Sequence, residues 1–208
     1  MTENATDCTR RESNRRKTAE SIVRAAIELV TQAGSIDAVA IDDIASQAQV
    51  SRRTFFNHYA SKNAALLEPI FTYRSLYLAK MLSAPQNLSL WQAVEYAITA
   101  TITETPDLTL VAQSDFILRQ LVHASSSSPD IPYLEAQRAH QHVLNEHLAE
   151  RIGSGDPLAI RLIAGVGEHM LRLCLHDISA STREPEKVAK ENLSHVMTIL
   201  QSQPFGSK

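Results

Sequence analysis

Apolar residues recur at three- and four-residue spacing along most of the chain, and no segment alternates apolar and polar positions long enough to suggest a strand. The pattern predicts an all-α protein, with the few glycines and prolines acting as punctuation. Ala19, Ile22, Ala26, Leu29 and Ala33 define a first helix over about 15–33, and Gly34 stands where a left-handed C-terminal residue belongs. Ile41, Ile44, Ala45 and Ala48 give a short second helix with Asp42 and Asp43 in its first turn, where the helix dipole favours carboxylates. A third short helix follows Ser51, a normal cap. A long fourth helix runs over about 62–83 with Pro69 inside it, expected to remove one backbone bond and bend the helix.

Further on, Leu88 to about Thr103 and Asp107 to Ala124 read as helices, and SSSSPDIP at 125–132 as a loop. A seventh helix covers about Tyr133 to Ile152 and ends at GSGDP, 153–157, where Gly153 closes one helix, Asp156 caps the next and Pro157 takes its first turn. The eighth runs to about Ile178, and a ninth follows Pro185 to about Ser202. The expected division is a flexible basic arm over 1–14, a three-helix unit over 15–62 and a helical bundle over 63–208.

With 44% apolar residues the chain can bury a core, and it has no apolar run of about eighteen residues that would span a membrane. The start is polar and lacks the apolar stretch of a secretory signal. Cys8 lies in the polar start and Cys174 in an apolar helical pattern, which is no disulfide framework. A cytoplasmic protein is expected. The net charge is -3, yet Arg10 to Arg24 carries six basic residues and two acids, a composition that a sugar-phosphate backbone attracts and that a solvated tail also shows.

The densest chemistry lies in VSRRTFFNHYASK, residues 50–62. At 100° per residue Arg52, Arg53, Phe56 and Asn57 share an arc of about 140°. Phe55 and Tyr59 lie on another side, suited to packing on the first helix, and Thr54 and His58 form a third pair. Arginine reads guanine with its fork and asparagine reads adenine, so the first arc suits a major groove. Thr54, His58 and Lys62 flank it and could hold phosphates, which sets register without reading sequence. The same composition also fits a solvated face over a core aromatic pair.

The stretch IDDIASQAQVSRRTFFNHYASKNAALL resembles the N-terminal domain of the TetR family of bacterial transcriptional regulators, over roughly residues 15–68. The resemblance is carried by Ile44, Ala45, Ala48, Val50, Ser51, Thr54, Phe55, His58, Ser61, Lys62 and Leu66, which mix core, cap and contact positions at fixed spacing. It implies double-stranded DNA as partner, with Arg52, Arg53, Phe56 and Asn57 as base-reading candidates and Thr54, His58 and Lys62 as phosphate candidates. Four departures stand out. Ala40 occupies a position where a threonine often caps the second helix, and Gln49 replaces a turn glycine. Phe56 stands where a tyrosine often offers its hydroxyl, and Tyr59-Ala60 replaces the common Phe-Pro, for which little effect is expected.

For residues 63–208 the resemblance implies a bundle that binds an effector, a small lipophilic molecule, and a homodimer built from the last two helices. Ala164, Gly165 and Gly167 are small enough to admit a partner helix, and Leu171, Leu193, Val196 and Leu200 extend the candidate interface. GVG at 165–167 is no phosphate loop, since no strand precedes it and it lies mid-helix. Phe71, Tyr73, Tyr77, Trp91, Tyr96, Phe116 and Tyr133 are candidates for an effector pocket, with His123 and His140 as polar contacts. The paired histidines, His140 with His147 and His169 with His176, are seven apart, whereas metal ligands on one helix more often sit three or four apart, so no metal or other cofactor is assigned. No hydrolase, metalloprotease or nucleotide-binding motif occurs and no enzyme is expected. Three readings follow: a homodimeric repressor of a palindromic operator released by a ligand, a DNA-binding regulator without an effector, and an all-helical ligand carrier or enzyme.

Overall fold

The computed structural model describes residues 3–124, 131–153, 156–176, 178 and 181–202; side chains are described for these except 3–9, 122–124, 131–137, 140, 152 and 200–202. Among the described residues there are nine α-helices and no strand: α1 Glu3–Ala33, α2 Ile41–Gln47, α3 Arg52–His58, α4 Lys62–Leu82, α5 Leu90–Glu104, α6 Leu108–Ala124, α7 Ile131–Ile152, α8 Pro157–Leu173 and α9 Pro185–Ser202.

Local chemistry sets most of these boundaries. α1 ends at Gly34, whose φ is +66° and whose amide donates to the Val30 carbonyl at 3.0 Å. Ser89 caps α5 reciprocally with Gln92, amide to side chain in both directions. The Asp107 carboxylate accepts from the Leu110 amide at 2.9 Å at the start of α6, and Asp156 accepts from the Leu158 amide at 2.9 Å at the start of α8. α1 begins at Glu3, inside the stretch expected to be an arm. No glycine or proline interrupts residues 3–14, and their lack of an apolar stripe hid the helix from a reading by periodicity. α4 continues on both sides of Pro69.

Two apolar cores form. The head core joins Ile22, Ala26, Ile27 and Val30 of α1 with Ile44 of α2, Phe55 of α3 and Leu66 of α4. The body core joins Ile70, Tyr73, Tyr77 and Met81 of α4 with residues of α5 to α9. α4 therefore enters both: Ala65 and Leu66 belong to the head, and residues from Leu67 onward to the body. Ile117 of α6 adds itself to the head core, and the buried Ser114 hydroxyl of the same helix donates to the Leu66 carbonyl at 2.7 Å. Each fully buried aliphatic or aromatic side chain contributes roughly 1.5–3 kcal/mol, so a head built on α1 and two seven-residue helices depends on α4 and α6 to complete its core.

Candidate nucleic-acid interface

The pair α2–α3 is set by one turn. The Val50 amide donates to the Ala45 carbonyl at 2.9 Å and the Gln49 amide to the Ser46 carbonyl at 3.1 Å, which is the Schellman closure of α2. Its left-handed position is held by Gln49, at φ +56°. The start of α2 is capped by half: the Asp43 carboxylate accepts from the Ala40 amide at 3.1 Å, while the alanine side chain has no oxygen to return the bond. Ser51 caps α3, its hydroxyl accepting from the Thr54 amide at 3.0 Å and lying 2.8 Å from the Thr54 hydroxyl.

α3 then divides by face. Phe55 is fully buried, with its ring edge-on to Phe56 at 5.5 Å and tilted against Tyr59 at 6.1 Å. On the outer side Arg52, Arg53, Phe56 and Asn57 are exposed together, with Phe56 44% accessible. Arg53 and Asn57 have no side-chain partner among the described residues. Arg52 pairs with Asp42 of α2 at 2.7 Å and lies 5.5 Å from the Phe56 ring centre, so its guanidinium is positioned over an aromatic face.

The phosphate candidates are placed differently from one another. Thr54 and His58 are half-buried at the edge of this face. Lys62 donates to the carbonyls of Ile36 and Val39, the latter at 2.6 Å, and so ties the loop between α1 and α2 to the first residue of α4. Tyr59, at the C-terminal cap of α3, donates its hydroxyl to the Glu68 carboxylate and lies 3.5 Å from the Ala19 carbonyl. Burial first, then the Glu68 bond, raises its phenol far above the usual range. That tie between α3, α1 and α4 was not expected from the sequence. Its only signal was a hydroxyl on a residue required to be buried.

In the body, Tyr73 and Tyr77 are buried in the core and Phe71 is half-buried against it. Trp91, Tyr96 and Phe116 face outward, so these three do not line an interior cavity, and the Arg119 guanidinium lies over the Phe116 ring at 5.8 Å. The side chains of His123, Tyr133 and His140 lie outside the described residues. Ala164, Gly167, Leu171 and Leu193 face inward, into the chain's own core, rather than a partner. The small residue at 167 makes room within the chain: a Cβ there would lie 2.5 Å from the Tyr77 hydroxyl. Gly165 and Val196 instead line an apolar surface groove of about 460 Å³ with Leu162, Val166, Leu173 and Ile199. The Leu200 side chain lies outside the described residues. A helical wheel shows that a helix approaches closely at small residues, without showing which helix does so. Among the described residues no three His, Cys, Asp or Glu side chains gather as a metal site needs, and no helix is long and apolar enough to cross a membrane.

A short capped helix, anchored by one aromatic face and set across a tight turn from a second short helix, defines a helix-turn-helix head carried on an all-helical body. Residues 22–68 match the model of the family described as bacterial regulatory proteins, tetR family. Over those residues the head is similar to the N-terminal domain of the TetR family. The HTH-type transcriptional regulator TcmR of Streptomyces glaucescens is 31% identical over 97 residues, and the match spans 47% of this chain and 42% of that protein. Among solved structures, NalD, the secondary repressor of the MexAB-OprM multidrug efflux pump in Pseudomonas aeruginosa, has a TM-score of 0.55 at 18% identity, over 89% of this chain and 96% of its own. FadR from Bacillus subtilis in complex with stearoyl-CoA has a TM-score of 0.53 at 13% identity, over 84% of this chain and 95% of its own. At these identities the structural likeness is one of fold.

Proposed function

We propose that the chain is a DNA-binding transcriptional regulator, a homodimeric repressor of a palindromic operator that a small lipophilic ligand releases. The observation that carries this reading is the outer face of α3, where Arg53 and Asn57 are exposed without side-chain partners among the described residues and Arg52 is held by a surface ion pair. A bidentate contact to a base edge contributes roughly 1–3 kcal/mol of discrimination, whereas an exposed pair such as Arg52–Asp42 is worth about 0–1 kcal/mol. Exchanging Asp42 for a guanine or a phosphate is therefore favourable. Thr54 and His58 border the face as phosphate contacts. Lys62 acts by ordering the loop before α2 more than by meeting DNA directly.

Two copies are needed for one turn-spaced pair of reading helices, and a two-fold dimer matches a palindrome. The surface that supports dimerisation is the stripe on α8 and α9: Leu158 is 72% and Leu162 66% exposed, beside Gly165, Val166, Val196 and Ile199. A lipophilic effector is supported by the complex of FadR with stearoyl-CoA on the same fold. A bacterial protein that reads chromosomal DNA works in the cytoplasm, and the reading is that of a regulator rather than an enzyme. The test is duplex binding by fluorescence anisotropy, on DNA from the chain's own upstream region and on a scrambled duplex. Arg53→Ala should weaken the specific complex by about 1–3 kcal/mol and the scrambled one much less. An equal loss on both sinks the base-reading role. Failure of the unaltered protein to bind either duplex at low salt sinks the regulator reading.

A further inference from the structure

Between α1, α4 and the segment joining α5 to α6 lies a cavity of about 520 Å³. Ala19 and Val23 of α1, Leu76 of α4 and Leu110 and Val111 of α6 give it apolar walls. Tyr73 also lines it, and the buried Tyr73 hydroxyl has no hydrogen-bond partner among the described residues. The charges around the cavity are nearly all matched: Asp107 by Arg24 at 2.9 Å, Glu20 by Arg16 at 3.5 Å and Glu104 by Lys80 at 2.5 Å. Glu68 is the exception. Among the described residues no cation pairs with it, and its partner is the hydroxyl of Tyr59, a neutral phenol.

We infer that this cavity binds a small organic cation with an apolar body, its ammonium paired with Glu68 and its body against the apolar walls. The chemistry follows from what the site lacks: a half-buried carboxylate with a neutral partner gains most from a cationic donor, because charge-assisted hydrogen bonds are the strong ones. An anion would meet Glu68 unscreened, and a neutral body would leave it unmatched. Glu68 is also the residue that holds Tyr59, and Tyr59 caps the end of α3. A cation that draws Glu68 away competes with the tyrosine hydroxyl and loosens the end of the reading helix. The cavity has walls from both head and body, so the cation binds one arrangement of α3 better than another and shifts their populations. This last step rests on the proposed DNA-binding function; the binding of the cation does not.

The test uses three probes with one apolar body, phenylbutylamine, phenylbutanol and phenylbutyrate, titrated into the full chain by calorimetry. The amine should bind about tenfold more tightly than the alcohol or the acid. Glu68→Gln should remove that preference while the protein still melts cooperatively. Thr72→Phe, which fills an exposed wall position and leaves Glu68 in place, should weaken the amine by about fivefold. Equal binding of the three probes, no binding of the amine, or an undiminished preference in Glu68→Gln overturns the site. In the second arm the amine should lower operator affinity in the unaltered protein and have no effect on it in Tyr59→Phe. An equal effect in both proteins overturns the coupling through Tyr59. Absence of any duplex binding overturns the regulator reading and leaves the amine preference to decide the site.

Discussion

Charge is handled in opposite ways by an ion pair of the head and one of the body. In the head, Arg52 and Asp42 form a pair whose side chains are 58% and 66% exposed. In the body, the Asp115 side chain of α6 is 3% exposed, with Arg119 at 3.4 Å from one carboxylate oxygen and no partner for the other among the described residues. Water already screens the first pair, so a nucleic acid can take it apart at little cost. In the second only Arg119 still meets water; the Asp115 carboxylate is buried, and desolvation opposes its charge. The Arg52–Asp42 pair thus stays available for exchange, while the Asp115 carboxylate is fixed in one packing.

The sharpest way to break that contrast lies within α3. Phe55 is fully buried in the head core and its neighbour Phe56 is 44% exposed. Phe55→Ala should lower stability by about 3–5 kcal/mol, and Phe56→Ala by no more than about 0.5 kcal/mol, in urea unfolding. Similar losses at both positions would show that the helix is not divided into an anchored side and an available one.

A smaller effect is expected at the turn that aims α3. Gln49 holds a left-handed backbone, which costs a residue with a Cβ roughly 1–2 kcal/mol, partly offset by the extra freedom a glycine has when unfolded. Gln49→Gly should therefore stabilise the chain by about 0.5–1 kcal/mol and raise Tm by about 2 °C for a protein of this size. An unchanged or lower Tm would mean that the Gln49 side chain compensates for its backbone.

The same contrast explains what could be read from the sequence. The outer face of α3, its Ser51 cap and the Phe55–Tyr59 anchor lie within thirteen consecutive residues, and helical spacing places them relative to one another. What escaped were the ties across chain distance: Lys62 to Ile36 and Val39, Arg52 to Asp42 and Tyr59 to Glu68. In the body nearly everything is of that kind. Gly167 looked like a place for a partner helix because a wheel cannot show that Tyr77, ninety positions earlier, already occupies the space. Trp91, Tyr96 and Phe116 were candidates for the effector pocket that the family resemblance implies, yet each lies on the solvent side of its helix.

The smallest expected effect tests the body half of the comparison, where burial and three arginines act on one carboxyl in opposite directions. Burial raises the carboxyl of Asp115, and Arg119, Arg74 and Arg172 lower it, with burial prevailing. A carboxyl raised in the folded state takes up its proton more readily when folded than when unfolded. Its contribution to stability is therefore present at acid pH and lost as pH rises through the folded value. Asp115→Asn removes this titration and leaves Glu168, also raised by burial, and Glu191, lowered by the hydrogen bond from Arg183, in both proteins, where they cancel. Between neutral pH and the ordinary carboxylate range near about 4, the stability of the unaltered chain should rise relative to the variant as pH falls. Paired urea titrations at several pH values measure this difference. A difference that stays constant, or that favours the unaltered chain more at neutral pH, would show that the three arginines prevail over burial and that the body holds its charge as readily as the head does.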